Sequence, residues 1–196
     1  EPSDKIPVGI LEKCIKLTNE PPSGLKENMC IAFNTLKINP AVSFADEKRR
    51  CGVIFGLCYY HAVVIERKKF GSLGWNRNYP FSLDDLRNSD AIVGRYIEPG
   101  VSRIPWEDLK YIVGEIMYGG HIVDDMDRVL NNAYLNYILD DKLLVDLDLV
   151  PYPSNSPAMK VNPIRVPMDN AVFPFENWDK YIEEVITSES PALFGL

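Results

Sequence analysis

The chain lacks the pieces from which most active sites are assembled. No glycine-rich stretch ends in Gly-Lys-Ser/Thr, so no loop offers backbone amides to cradle phosphates. Gly71-Ser-Leu-Gly-Trp75 has no lysine, and the next helix signal comes only at Ser82. No Gly-x-Ser-x-Gly nucleophile elbow occurs. Histidine is scarce: His61 and His121 are the only two, and neither stands at metal-ligand spacing from another His or Cys. Cys14, Cys30, Cys51 and Cys58 form no Cys-x-x-Cys pair. That argues against zinc and for reduced, mostly buried thiols in a cytosolic protein. No apolar run is long enough to span a bilayer, and no signal peptide precedes the first helix pattern.

What is there is ordinary in bulk and uneven in detail. With 46% apolar and 25% charged residues, 196 residues bury a respectable core and are expected to form one domain. The net charge of −7 is lopsided: residues 1–120 carry 16 basic and 15 acidic side chains, residues 121–196 carry 5 and 13. Phosphate backbones need clustered Lys and Arg, so the acidic part is no nucleic-acid surface and reads as solvated. No nucleic-acid, membrane, metal or cofactor partner is expected. The opening Glu1-Pro2-Ser3, in place of Met, suggests an excerpt from a longer protein.

In chain order, Ile6–Cys14 fits a short helix, and Cys14–Asn19 alternates like a single strand that Pro21-Pro22 ends. Ser23 is placed to cap a helix over 24–37, with Leu25, Met29, Ala32, Phe33 and Leu36 on one face. Ser43 and Asp46 fit a capping box for a helix to Phe70, about 28 residues and roughly 40 Å. Its middle, Cys51–Ile65, is apolar nearly all round except at His61, so neighbours should cover it on several sides. Its charged ends, Glu47–Arg50 and Glu66–Lys69, should reach solvent, with Gly71 as C-cap. Ser82 and Asp85 make a second capping box, flanked by Phe81 and Leu86 as a hydrophobic staple, for a helix to about Glu98. Pro105 opens a third helix, with Trp106, Leu109, Val113 and Ile116 at helical spacing up to Gly119-Gly120. A fourth spans about Asp124–Leu139 and presents Val129-Leu130, Ala133-Tyr134 and Tyr137-Ile138. Seven of the fifteen prolines then fall between Pro151 and Pro191, which reads as an extended segment over the bundle. A last short helix covers about Phe175–Thr187.

Three constellations invite chemistry, and each has a plainer reading that is favoured. Leu143–Asp148 resembles a metal-binding strand end, but without a phosphate loop it reads as a surface turn with alternating burial. Asp124, Asp125 and Asp127 suggest a divalent-cation cluster, yet acids in a first helical turn need only the helix dipole to explain them. Cys58 and His61, three apart, could form a thiolate pair, but apolar surroundings raise a thiol pKa. The segment from His61 to Phe81 is where the scaffold turns. Its Gly71, Gly74, Trp75, Asn76, Tyr79 and Phe81 suit either a base-stacking or peptide-binding loop, or an aromatic plug at the end of the long helix. The plug is favoured, because aromatics bury large areas and Asn suits tight turns. The expected fold class is mainly α: a helical bundle with one N-terminal strand remnant and an extended Pro-rich C-terminal segment.

Several stretches, in order, resemble the dynein heavy chain. They are Thr18–Asn28, Tyr60-His-Ala-Val-Val-Ile-Glu-Arg-Lys-Lys-Phe-Gly71, Gly74-Trp-Asn-Arg-Asn-Tyr-Pro-Phe81, Pro105-Trp-Glu-Asp-Leu109 and Gly114-Glu-Ile-Met-Tyr-Gly-Gly-His-Ile-Val-Asp-Asp125, with the closing Glu189–Leu196. The Gly-Glu-Ile-Met-Tyr-Gly-Gly-His form looks more axonemal than cytoplasmic. The resemblance implies the lid of the sixth AAA+ module, just before the C-terminal domain. Residues 1–22 would be the tail of that module's α/β subdomain, 23–150 the helical lid, and 151–196 the Pro-rich segment and short helix leading onward. It implies a non-catalytic mechanical part, with no cofactor, of a minus-end-directed microtubule motor in the axoneme of cilia and flagella. Partners would be the neighbouring modules and C-terminal domain of the same chain and, through the parent protein, intermediate and light chains and microtubules. An independent helical peptide-binding adaptor is the alternative. The family's Asp-Asp-Trp-Asp-Arg-Arg stretch is here Asp124-Asp-Met-Asp-Arg-Val129, which puts the packing or interface at Met126 and Val129 in doubt.

Overall fold

A computed structural model describes residues 7, 9, 13–15, 23–37, 48–97, 103–150, 163–168, 177–186 and 194. Helix α1 is Leu25–Lys37, α2 Lys48–Arg67, α3 Leu83–Tyr96, α4 Trp106–Tyr111, α5 Asp125–Ile138 and α6 Trp178–Val185. The mainly helical class holds, and no strand occurs among the described residues. Of the expected strand remnant, Cys14 is a bend and Ile15 lies irregular and 88% exposed. A lone strand has no ladder to pair with and nothing to bury against. Its remainder, most of the Ile6–Cys14 helix, the Ser43–Asp46 cap and most of the Pro-rich segment lie outside the described residues.

The organising element is α2. From Cys51 to Val64 every residue is buried, as a helix apolar all round requires. On one side α1 packs along it, and α6 closes the groove between them: Trp178 stacks on Phe33 at 6.0 Å and meets Phe55 edge-on at 5.5 Å. On another, Gly52 and Gly56, one helical turn apart, leave room for Leu144 and Leu143 of a 3-10 turn at Asp141–Leu144. On a third, α5 approaches, where the Tyr60 hydroxyl donates to Asn131 Oδ1.

Two starts are as expected. At α3 the Ser82 backbone N–H donates to Asp85 Oδ2 at 2.9 Å. At α5 the Asp124 carboxylate accepts the N–H groups of Met126 and Asp127. The cap of α1 differs. It is Gly24, at φ +108°, and not Ser23, whose N–H is taken by Glu27 Oε2. The long helix also ends earlier than expected, at Arg67, and continues as a 3-10 turn to Leu73 that Gly71 breaks at φ +54°, ψ −131°.

The face of α4 is also corrected. Trp106, Leu109 and Val113 are buried, but Ile116 is 51% exposed. Residues 112–117 are π-helical: Tyr118 N–H reaches Val113 O, one residue further back than in an α-helix, and Gly114 O accepts from Asn131 Nδ2. The extra residue rotates Ile116 out and brings Tyr118 fully in. On α5 the buried face is Asp127, Asn131, Tyr134, Leu135 and Ile138, while Val129 is exposed. The described Pro-rich residues, 163–168, form no helix or strand; Ile164 is buried and its carbonyl accepts from Leu149 N. Among the described residues no helix is long and apolar enough to cross a membrane.

Candidate functional site: the corner after the long helix

The residues expected at the corner do converge. Trp75, Tyr79 and Phe81 form an aromatic triangle with centroids 5.5–6.0 Å apart. Trp75 is 3% exposed, and its Nε1–H donates to Val64 O at 3.0 Å. Val64 is in the last turn of α2, where a helix leaves carbonyls without internal partners, so the indole acts as a C-cap from outside. Phe81 packs on Tyr118 at 5.8 Å, and Tyr118 Oη lies 2.8 Å from His61 Nδ1. Gly74 is required by contact: a Cβ there would stand 1.8 Å from Arg67 O. Gly71 lies in the same turn, and its carbonyl accepts from both Gly74 N and Trp75 N.

Asp127 closes the corner from α5. Its carboxylate, 3% exposed, accepts from Asn76 N at 3.0 Å, Arg77 N at 3.3 Å and Tyr79 Oη at 2.7 Å. Asn76 Nδ2 adds a bond to Asp124 Oδ1 at 3.2 Å. The side-chain bond from Asn76, together with backbone N–H donors, holds the Asp124 carboxyl below its usual range. Thus two of the three carboxylates of the acidic start serve as anchors for the loop. Asp127→Asn keeps the shape but removes the charge on which three donors converge. Charge-assisted bonds contribute most, so it is expected to cost about 2 kcal/mol by urea denaturation. An unchanged midpoint would mean that the loop holds itself without this anchor.

Charged residues expected in solvent are at the centre. Arg50, Glu66 and Arg67 are 8%, 3% and 3% exposed. The reason is positional: α2 is buried all round from Cys51 to Val64, and neighbouring elements still cover these three positions just beyond that run, while Arg49 is exposed. Arg50 faces Asp90 of α3 at 3.5 Å. Glu66 Oε1 accepts from Gly24 N and Asn28 Nδ2, and Lys69 Nζ lies 2.7 Å from Oε2. Arg67 donates to the carbonyls of Gly74, Leu73 and Phe194 and to Tyr134 Oη, and its guanidinium lies 5.3 Å from the Tyr134 ring and 5.8 Å from that of Trp75. Guanidinium donors meeting carbonyls at a helix C-terminus are also favoured by the dipole.

Cys58 and His61 are both fully buried, and burial pushes the Cys58 thiol up, away from thiolate. Burial also lowers His61 to about 4, against a smaller opposing effect of Asp85. In the 143–148 run, Leu143 is buried and Val145 is 82% exposed, and Asp148 Oδ1 accepts from Val150 N and Ile164 N. His121 pairs with Asp85 at 3.0 Å. Among the described residues no group of three or more His, Cys, Asp or Glu is placed to hold a metal ion. A shallow cleft of about 500 Å³, lined by Arg103, Trp106, Asp108, Asp140 and Asp141 among others, carries carboxylates and cations side by side.

Comparison with known proteins gives one consistent result. The profile described as the dynein heavy chain AAA lid domain matches residues 50–196. Over 97% of its length the chain is 43% identical to a ciliary dynein beta chain of Heliocidaris crassispina. It is 41% identical to human dynein axonemal heavy chain 17 and 38% identical to the flagellar outer arm dynein beta chain of Chlamydomonas reinhardtii, again over 97%. The chain spans about 4% of the length of these relatives.

Proposed function

This chain belongs to the family of dynein heavy chain AAA lid domains, and from that premise we propose that it is a non-catalytic mechanical module of an axonemal motor. In this reading it is the lid of the sixth AAA+ module. Residues 1–22 end the preceding α/β subdomain, 23–150 form the lid, and 151–196 lead to the C-terminal domain. It closes the ring and passes conformational change between neighbouring modules, while ATP is hydrolysed elsewhere in the heavy chain. Its partners are those modules and the C-terminal domain, with intermediate chains, light chains and microtubules reached through the whole motor. Its place is the axoneme of cilia or flagella, in keeping with the ciliary, axonemal and flagellar names of its relatives.

The observation that carries this reading is the commitment of the corner to its own fold. Asp127, the most enclosed of the three clustered acids, is bonded to Asn76, Arg77 and Tyr79. Arg67 is bonded to three carbonyls and a phenol. A joint held by satisfied buried polar groups transmits displacement as a unit, because interiors are close-packed and shift between discrete arrangements. Met126 and Val129, 70% and 64% exposed, stand with Val123 as apolar surface that a ring neighbour would cover.

Thermal-shift titration with Mg²⁺, Mn²⁺ and ATP is the direct test. No saturable rise is expected with any of them. A clear rise that Asp127→Ala abolishes would give the acidic start a ligand and overturn the non-catalytic reading, since a ligand selective for the native state raises its stability. In the full heavy chain, Asp127→Asn is expected to slow microtubule gliding while leaving ATP affinity unchanged.

A further inference from the structure

We propose that Glu66 and Arg67 act as a two-residue coupler, tying the segment that enters the helical body at Ser23-Gly24 to the segment that leaves it at Phe194. The inference deepens the mechanical reading above and rests on it for its purpose, but the coupling is a property of this chain.

The two residues are consecutive, lie at the end of α2, and are each 3% exposed. On a helix, neighbours point about 100° apart, and these two grip residues far apart in the chain, Gly24 and Phe194. Glu66 takes the incoming side. Its carboxylate accepts the N–H of Gly24, the residue that caps α1, and the amide of Asn28 one turn later. Lys69 extends the grip, from Glu66 to the Ser23 hydroxyl at 3.0 Å. Arg67 takes the outgoing side. Its Nη1 donates to Phe194 O, and the Tyr134 hydroxyl donates to the same carbonyl. The Phe194 ring packs on Phe70 at 5.4 Å and is 3% exposed.

The coupling follows from shared backbone and from the cost of leaving buried charge unbonded. Gly24 lies 42 residues from Glu66, and Phe194 lies 127 from Arg67, so neither contact is local. If the incoming segment pulls Gly24 away, the Glu66 carboxylate loses donors within the core and must move. A shift of the last turn of α2 that restores the bond carries Arg67 with it, because both residues belong to that turn. Arg67 cannot shift alone, since its other donors hold Leu73 and Gly74 and its carbonyl is packed against Gly74. Displacement therefore reaches Phe194. Such a coupling is reciprocal by thermodynamic necessity. A second route exists, from Lys26 Nζ to Glu183 O at 2.9 Å, and must be separated from the first.

Hydrogen exchange read by mass spectrometry on the full heavy chain tests this, using peptides that contain Gly24 and Phe194. Glu66→Gln keeps the side chain's shape and weakens the incoming grip. It is expected to speed exchange about threefold or more in the Gly24 peptide and also in the Phe194 peptide, which it does not touch. Tyr134→Phe removes one oxygen from the outgoing grip and should do the same in reverse. The double variant should fall short of the product of the single effects, as residues acting through one network do. Lys26→Met should leave the cross-effects in place. If each variant speeds exchange only at its own end, if neither changes it, or if Lys26→Met alone abolishes the cross-effects, the coupler does not exist. Should Glu66→Gln unfold the lid, Tyr134→Phe with the Gly24 peptide still decides. The mechanical reading fails separately, if exchange at both ends is indifferent to the nucleotide bound by the motor.

Discussion

Trp75→Ala is expected to lower the stability of the chain by about 3–5 kcal/mol, the usual cost of removing a large aromatic from a core. The ring is 3% exposed and meets three partners: Tyr79 edge-on, Phe81 at a tilt, and the Arg67 guanidinium 5.8 Å away. Its Nε1–H fills a carbonyl at the end of α2. Truncation therefore removes transfer energy, leaves a cavity, strips one face from a buried cation and exposes the helix end. Trp75→Phe keeps most of the volume and loses the Val64 bond, and should cost about 1 kcal/mol plus the packing change. Urea denaturation followed by circular dichroism separates the two. A loss below about 1 kcal/mol for Trp75→Ala would mean that the ring is not bearing weight, and the segment would return to the reading of a binding loop.

The corner was legible in outline because its signals are local. Gly71 must lie past the end of a helix, since only glycine takes φ +54° with ψ −131° at no steric cost. Ser82 with Asp85, and Asp124 with its own first turn, cap helices by contacts within three residues. The aromatic spacing from Trp75 to Phe81 is itself the plug. What escaped is set by partners far along the chain. Glu66 and Arg67 read as a solvated basic end because most of their counterparts lie far along the chain, and two of them, the Gly24 N–H and the Phe194 carbonyl, are backbone groups that leave no mark in a sequence. Asp127 was legible as a helix-start acid but not as the acceptor for Asn76, Arg77 and Tyr79, which come from a loop about fifty residues earlier.

The outward turn of Ile116 was hidden for a related reason. Spacing alone gives one apolar stripe through Trp106, Leu109, Val113 and Ile116. The π-helical turn that breaks the stripe goes with Asn131 reaching Gly114 O from another helix. The early end of α2 belongs with this group. Its periodicity runs on to Phe70, but the helix ends at Arg67, whose guanidinium bonds the nearby carbonyls of Leu73 and Gly74 and, from far along the chain, Tyr134 Oη and the carbonyl of Phe194. Single-sequence patterns thus gave the position of the turn, while the groups that bond across it were decided by the fold.

Acidification supplies a second large effect, and His61 is its source. The imidazole is 1% exposed; Nδ1 meets Tyr118 Oη, and Nε2 meets no hydrogen-bond partner among the described residues. Adding a proton would place a charge in the core, so burial lowers the folded pKa from 6.5 to about 4, with Asp85 opposing weakly. The folded state prefers the neutral ring. Between pH 6.5 and 4 the unfolded chain binds the proton and the folded chain does not, so stability must fall as pH falls. The contribution is fully present above the unfolded value and is lost progressively down to the folded one. A gap of this size corresponds to about 3 kcal/mol, at a slope of no more than about 1.4 kcal/mol per pH unit. Other groups titrate in the same window, so the quantity to measure is a difference. Urea midpoints at pH 7, 6, 5 and 4 are compared between the native chain and His61→Gln, whose side chain takes no proton. The variant begins less stable, because it loses the fit to Tyr118, but its curve should be flatter, and the two should converge towards pH 4. Parallel curves would show that His61 is protonated as easily in the folded chain as in water, and that the core around Tyr118 is open to solvent.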